Sequence, residues 1–185
     1  KPAEHNTIDC LARRAPPGVL GRPPFVDRPG HKLHFLFVGV SPDLSARLGL
    51  RTCPGYAELF GGGPRRAGGA AGAEGGAYFP IQFAPADAPL AYLYQHPDGS
   101  PLGEVDGRVV EVVCAGACAA AGGGASLADW RAVRVREDRA RELAAGRYFG
   151  NDYHSAEVIW LNYLDPFPRE QLWEGPADDY FMRPK

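Results

Sequence analysis

No run of apolar residues in this chain comes near the ~20 needed to cross a bilayer, so a membrane-spanning helix is excluded and no membrane partner is expected. There is no excess of charge of either sign: 20 lysines and arginines stand against 22 aspartates and glutamates, a formal net charge of −2. With no net positive field to gather phosphates, the composition argues against a nucleic-acid partner. Phosphate-cradling loops are missing too. No G-x-G-x-x-G comes after a strand, and Gly61-Gly62-Gly63 has no Lys-Ser/Thr behind it. A G-x-S-x-G nucleophile elbow and internal repeats are likewise absent. No signal peptide is visible, and the chain opens on Lys1-Pro2 as a trimmed secreted chain would; a cytosolic chain with free thiols would look the same.

What is present is ordinary globular material. The 185 residues are 45% apolar and 23% charged, enough for one domain with a core and for a monomer. The 24 glycines and 18 prolines imply many turns, short strands and few long helices. The four cysteines are Cys10, Cys53, Cys114 and Cys118. An even count fits two disulfides, with three possible pairings. The Gly-Ala-rich turn between Cys114 and Cys118 favours joining those two, which leaves Cys10–Cys53. A lone C-x3-C is a poor zinc signature, so no metal is expected. Disulfides call for an oxidising compartment, hence a secreted protein.

Residues 1–30 carry six prolines and read as an extended arm, stapled through Cys10 to a single α+β domain over 31–185. The segment Lys32–Val40 is the strongest strand, apolar enough to be buried on both faces. Ser41-Pro42-Asp43 then reads as N-cap, first helical position and acidic first turn of a short helix that ends at Gly49. A second short helix is expected over Tyr56–Phe60, a third over Ala86–Tyr94 and a fourth over Glu137–Gly146. Strands are expected over Arg108–Cys114 and Trp130–Val135, the latter with one wet face. Residues 61–76 and 115–125 read as Gly/Ala-rich loops, and Arg169–Trp173 as one helical turn. The polar turn Asn151–Ser155 is expected to lead into a third apolar strand over Ala156–Leu161, with Glu157 at its mouth.

Three stretches carry candidate chemistry. Gly75-Gly76-Ala77-Tyr78-Phe79 is a glycine-led aromatic strand, where the missing Cβ atoms let backbone approach a bound group beside the Tyr78 ring. A carboxylate at the position of Glu157 suits a ribose hydroxyl and a developing positive charge. His31 and His34 project to opposite sides of their strand, a poor arrangement for a shared metal.

Taken together, Phe37-Val38-Gly39-Val40-Ser41, Gly76-Ala77-Tyr78-Phe79 with Ala88–Tyr92, and Ser155-Ala156-Glu157-Val158 resemble, in order and spacing, the ADP-ribosyltransferase superfamily, over about residues 33–165. That resemblance implies split mixed or antiparallel sheets around an NAD cleft. It implies Gly39, Tyr78, Tyr92 and Ser155 as cofactor-binding residues and Glu157 as the catalytic residue. The function it implies is a secreted, disulfide-stapled toxin or effector that consumes NAD, by ADP-ribosyl transfer or NAD hydrolysis. Val38 stands where the family places His or Arg. This gives the alternative: a catalytically inactive effector that binds a host protein through the same scaffold.

Overall fold

The computed structural model describes residues 6–20, 25, 28–53, 55–61, 78–84, 90–96, 98–114 and 130–164. Residues 62–76 of the first expected loop, the loop over 115–125 and the helical turn at Arg169–Trp173 lie outside them. The described part is α+β, an antiparallel sheet with short helices. The strands are β1 (Ile8–Arg14), β2 (Lys32–Val40), β3 (Phe79–Gln82), β4 (Tyr92–Gln95), β5 (Arg108–Cys114) and β6 (Trp130–Val135). The helices are α1 (Pro42–Leu48), α2 (Tyr56–Phe60), α3 (Ala140–Ala144) and α4 (Tyr153–Leu164), with a 3-10 turn at Glu137–Arg139 leading into α3.

The sheet order is β3-β2-β1-β5-β6, with β4 also on β2. β3 pairs with the far half of β2 and β4 with its near half. Between them Phe83 N–H donates to Leu36 O, and Leu36 N–H to Ala91 O. β3 and β4 are therefore one strand, interrupted by an excursion between Phe83 and Ala91. β4 comes close to β6, so the five-strand ribbon curls toward closure.

Alternation along each strand sorts the side chains into two layers. Ile8, Cys10, Ala12, Leu36, Val38, Val40, Ile81, Leu93, Val110 and Val112 fill the inner face. One end of that interior is plugged by Tyr153, Ala156 and Trp160 of α4, with Trp160 stacked on Trp130 at 5.7 Å. The outer face carries Leu11, Leu33, Phe35, Phe37 and Tyr92, covered by Phe25, Tyr56, Phe60, Leu143 and Phe149. β2 is buried along both faces, as its apolar run predicts. α1 starts and stops where its caps stand: Ser41 Oγ accepts from Leu44 N–H at 3.2 Å, and Gly49 turns left-handed at φ 61°.

Four expectations are corrected. Ile8–Arg14 is extended, yet it is the middle strand of the sheet, paired on both sides, rather than an arm outside the body. Tyr92–Gln95 is strand, not helix, because its backbone is taken up by β2; residues 85–89 lie outside the described residues. Tyr153–Leu164 is helix, not a turn entering a strand. Asp152 caps it, accepting from Ser155 N–H at 3.1 Å and Ser155 Oγ at 2.6 Å, and the buried Tyr153, Ala156 and Trp160 recur at helical spacing. Finally, Cys10 and Cys53 are free buried thiols. β1 itself separates them, with Cys10 in the inner layer and Cys53 in the outer. Burial pushes the Cys53 thiol up to about 11 and Cys10 higher still, so neither is a ready thiolate. No disulfide is found among the described residues; Cys118 lies outside them. The secretion argument loses its Cys10–Cys53 half.

Candidate functional site

Gly39 brings together part of the set that the sequence singles out. Its N–H donates to Asn151 O at 2.9 Å, and it forms an isolated parallel bridge with Asp152. The Tyr78 ring lies against it: a Cβ on Gly39 would stand 3.2 Å from Tyr78 Cδ1. Ser155 joins through its bonds to Asp152. Burial raises the Asp152 carboxyl, but the Ser155 side-chain and backbone bonds outweigh it and hold the group below its usual range. Tyr92 stands toward the other end of β2, opposite Phe35, buried between Phe25 and Tyr94; burial pushes its hydroxyl up to about 12. Glu157 is half-buried on α4, one turn after Tyr153. Among the described residues no three His, Cys, Asp or Glu side chains stand close enough to hold a metal.

A second cluster was not picked out from the sequence. The pairing of β5 with β6 slips between Glu111 and Val112: Val112 faces Ala132 but Glu111 faces Arg134, leaving Val133 as an extra residue. Such a bulge re-aims the side chains beyond it. Trp130, Ala132 and Val135 keep the inner layer, while Arg131, Arg134 and Arg136 take the outer face. Regular alternation would have sent Arg131 and Arg134 to opposite faces. From Arg131 to Arg147 there are six arginines against Glu137, Asp138 and Glu142, a local balance of +3 in a chain of net −2. A cleft of about 320 Å³ lies beneath, between β5, the end of β6 and α3, with Arg108 and Arg136 on its wall.

Half of these arginines are held and half are not. Arg134 pairs with Glu111, which also accepts from Thr7 Oγ1 at 2.6 Å. Arg136 reaches the buried Asp9 and forks onto Asp138, with Nε at 2.9 Å and Nη2 at 2.7 Å. That fork and Asp9 raise the Arg136 guanidinium further, and the Arg136 bond in return holds Asp138 down to about 2. Tyr148 Oη donates to Asp9 at 2.7 Å, and Arg139 lies 4.8 Å over the Tyr148 ring. Arg131, Arg141 and Arg147 are exposed, and no partner is found for them among the described residues. A larger cleft of about 490 Å³ between β2, α2 and residues 14–20 carries Arg14 and Lys32, but Lys32 is paired with Glu104 and Glu58 lines the same cleft.

At the near end of β2, His34 is fully buried and neither ring nitrogen has a hydrogen-bond partner. Glu104 Oε1 is 3.7 Å from Nε2, with Lys32 and Asp106 beside it. Burial dominates and holds the imidazole below its ordinary 6.5 despite the two carboxylates. A depressed folded-state value gives stability that is full above about pH 6.5 and drains away as pH falls through the window beneath it. The expected slope there approaches 1.4 kcal/mol per pH unit. Urea midpoints at pH 7.5, 6.5, 5.5 and 5 should fall for the natural chain and fall less steeply for His34→Leu; parallel curves would contradict the assignment.

The chain is similar to viral mRNA-capping enzymes. It is 42% identical over all 185 residues to proteins named mRNA-capping enzyme from African swine fever virus, in both the Pig/Kenya and the Tick/South Africa isolates. It spans about a fifth (20%) of the length of these relatives. No family model and no solved structure matches. Relatives of that name overturn the resemblance to ADP-ribosyltransferases, and with it the NAD-consuming toxin and the inactive host-binding effector. They also conflict with the expectation of no nucleic-acid partner. The physical reason for the misreading is local. The segment matched to a glutamate-bearing strand is helix α4, and a chain-wide charge of −2 hides a strip of +3.

Proposed function

We propose that this chain is an RNA-contacting module of an mRNA-capping kind of protein, and that the arginines from Arg131 to Arg147 meet RNA phosphates. The observation that carries this reading is the full-length similarity to proteins named for a reaction on mRNA. The charge geometry supports the location. Guanidinium groups match phosphate oxygens in two-point contacts, and the bulge gathers three of them on one face. A curled antiparallel sheet of five strands, with β3 and β4 counted as one, is also a build that oligonucleotide-binding barrels use. The role is one of binding. The reaction named for relatives five times as long is not assigned to this chain.

Binding of a fluorescein-labelled single-stranded 12-mer RNA, followed by anisotropy across a KCl series, tests the reading. Affinity should fall with salt. Replacing the three unpartnered arginines together (Arg131→Glu, Arg141→Glu, Arg147→Glu) should weaken binding at least ~10-fold and flatten the log–log salt slope by about 2, at ~0.7 per single-strand phosphate contact. The absence of binding at low salt, or an unchanged slope in the triple variant, would defeat it.

A further inference from the structure

Tyr78 is 48% exposed, and alone among the aromatic side chains described it faces solvent rather than a packed layer. One side of its ring is packed on the strand beneath it. It stands just before β3 and is seated on Gly39 of β2, the one position in that strand where no side chain intervenes. Even a methyl group there would press the ring at 3.2 Å. Tyr78 therefore lies on the outer face, held from beneath and open from above.

That face is continuous with the arginine strip. Gly39 bonds to Asn151, and Asn151 N–H donates to Asp9 O at 2.8 Å. Asp9 faces Glu111 across β1 and β5, and Glu111 faces Arg134 across β5 and β6. Four backbone pairings link Gly39 to Arg134, a span on the order of 20 Å at ~4.8 Å each. An aromatic platform beside a cationic track is the combination that binds single strands: the ring takes a base and the cations take the backbone.

We infer that Tyr78 is a base-stacking platform for single-stranded RNA whose phosphates run on toward Arg134 and Arg131. The inference rests on the RNA-contacting reading above and assigns a second point of contact to it. Stacking acts on an unpaired base and carries no charge, so its signature differs from that of the arginines.

Three variants test it with oligoadenylate 12-mer RNA. Tyr78→Ala should weaken single-strand binding at least ~5-fold, from a stacking contribution of ~1–3 kcal/mol per base. Its salt slope should match the natural chain, and binding to a duplex of the same length should be unaffected. Tyr78→Phe should retain most of the affinity. Tyr78→Trp should show indole quenching on RNA addition beyond any change seen in the natural chain, which carries Trp130, Trp160 and Trp173. If the natural chain binds RNA while Tyr78→Ala binds it equally well, or loses single-strand and duplex binding alike, the platform is overturned and the arginine reading survives. If no form of the chain binds RNA, both fall.

Discussion

Gly150→Ala should cost this fold about 4 kcal/mol and lower its thermal midpoint by roughly 10 °C, at ~2–4 °C per kcal/mol for a chain of this size. Gly150 sits at φ 111°, where a side chain is strained before any contact is considered. A Cβ there would stand 2.3 Å from Asp9 O and 2.9 Å from the Cys10 Cα. Both obstacles are backbone of the central strand, so no rotamer change relieves them. Either β1 or the 149–152 segment must move. Moving that segment endangers Leu11 N–H to Phe149 O, Asn151 N–H to Asp9 O and Gly39 N–H to Asn151 O, each worth ~1 kcal/mol. Thermal melts followed by circular dichroism decide it. A midpoint within 2 °C of the natural chain would show that residues 149–152 are not wedged against β1.

Asp9→Ala comes next, with an expected loss of about 3 kcal/mol. Breaking a buried ion pair by removing one partner costs ~3–5 kcal/mol, because the other charge is left uncompensated. The lower end applies here, since Arg136 keeps its fork on Asp138. Two further groups lose their acceptor or ally: the Tyr148 hydroxyl, and the Arg139 guanidinium stacked over the Tyr148 ring. Tyr148→Phe should cost less, ~1.5 kcal/mol, because it removes one donor to the Asp9 carboxylate and leaves the Arg136 pair standing. Urea unfolding of both variants separates the cases. A loss below ~0.5 kcal/mol for Asp9→Ala would place the Asp9–Arg136 pair with exposed ion pairs, which contribute little. Asp9 also sets where Arg136 points, so the same variant should weaken RNA binding beyond what its lowered stability explains at 10 °C, where it remains folded.

Elements with local signals were legible in the sequence. Lys32–Val40 announces itself by composition, and α1 by Ser41, Pro42 and Gly49, because capping chemistry is written within a few residues. The misses share one cause, dependence on distant partners. Ile8–Arg14 looks like part of a proline-rich arm until β2 and β5 are seen on either side of it. In Val158-Ile159-Trp160-Leu161 a continuous apolar run masks the spacing of Tyr153, Ala156 and Trp160, and only the packing against Trp130 selects the helix. Cys10 and Cys53 make a plausible pair in one dimension and are divided by a sheet in three. The arginine strip was visible as letters, R-A-V-R-V-R-E-D-R-A-R. The bulge that turns three of them to one face depends on Glu111 of the neighbouring strand. Tyr78 is legible in the sequence as an aromatic beside glycines, but the glycine that its ring lies against is Gly39 of the adjacent strand, which no local signal links to it.

The central claim is that RNA lies on the outer face of the sheet along the arginines of β6 and α3. Ultraviolet crosslinking of a 4-thiouridine-labelled single-stranded RNA to the intact chain, with the attached peptides mapped by mass spectrometry, tests it most directly. Crosslinks concentrated between Trp130 and Tyr148, with a second cluster at Tyr78, are the predicted result. Crosslinks confined to the cleft of Arg14, His31 and Lys32, or scattered without preference and lost at moderate salt, would contradict it.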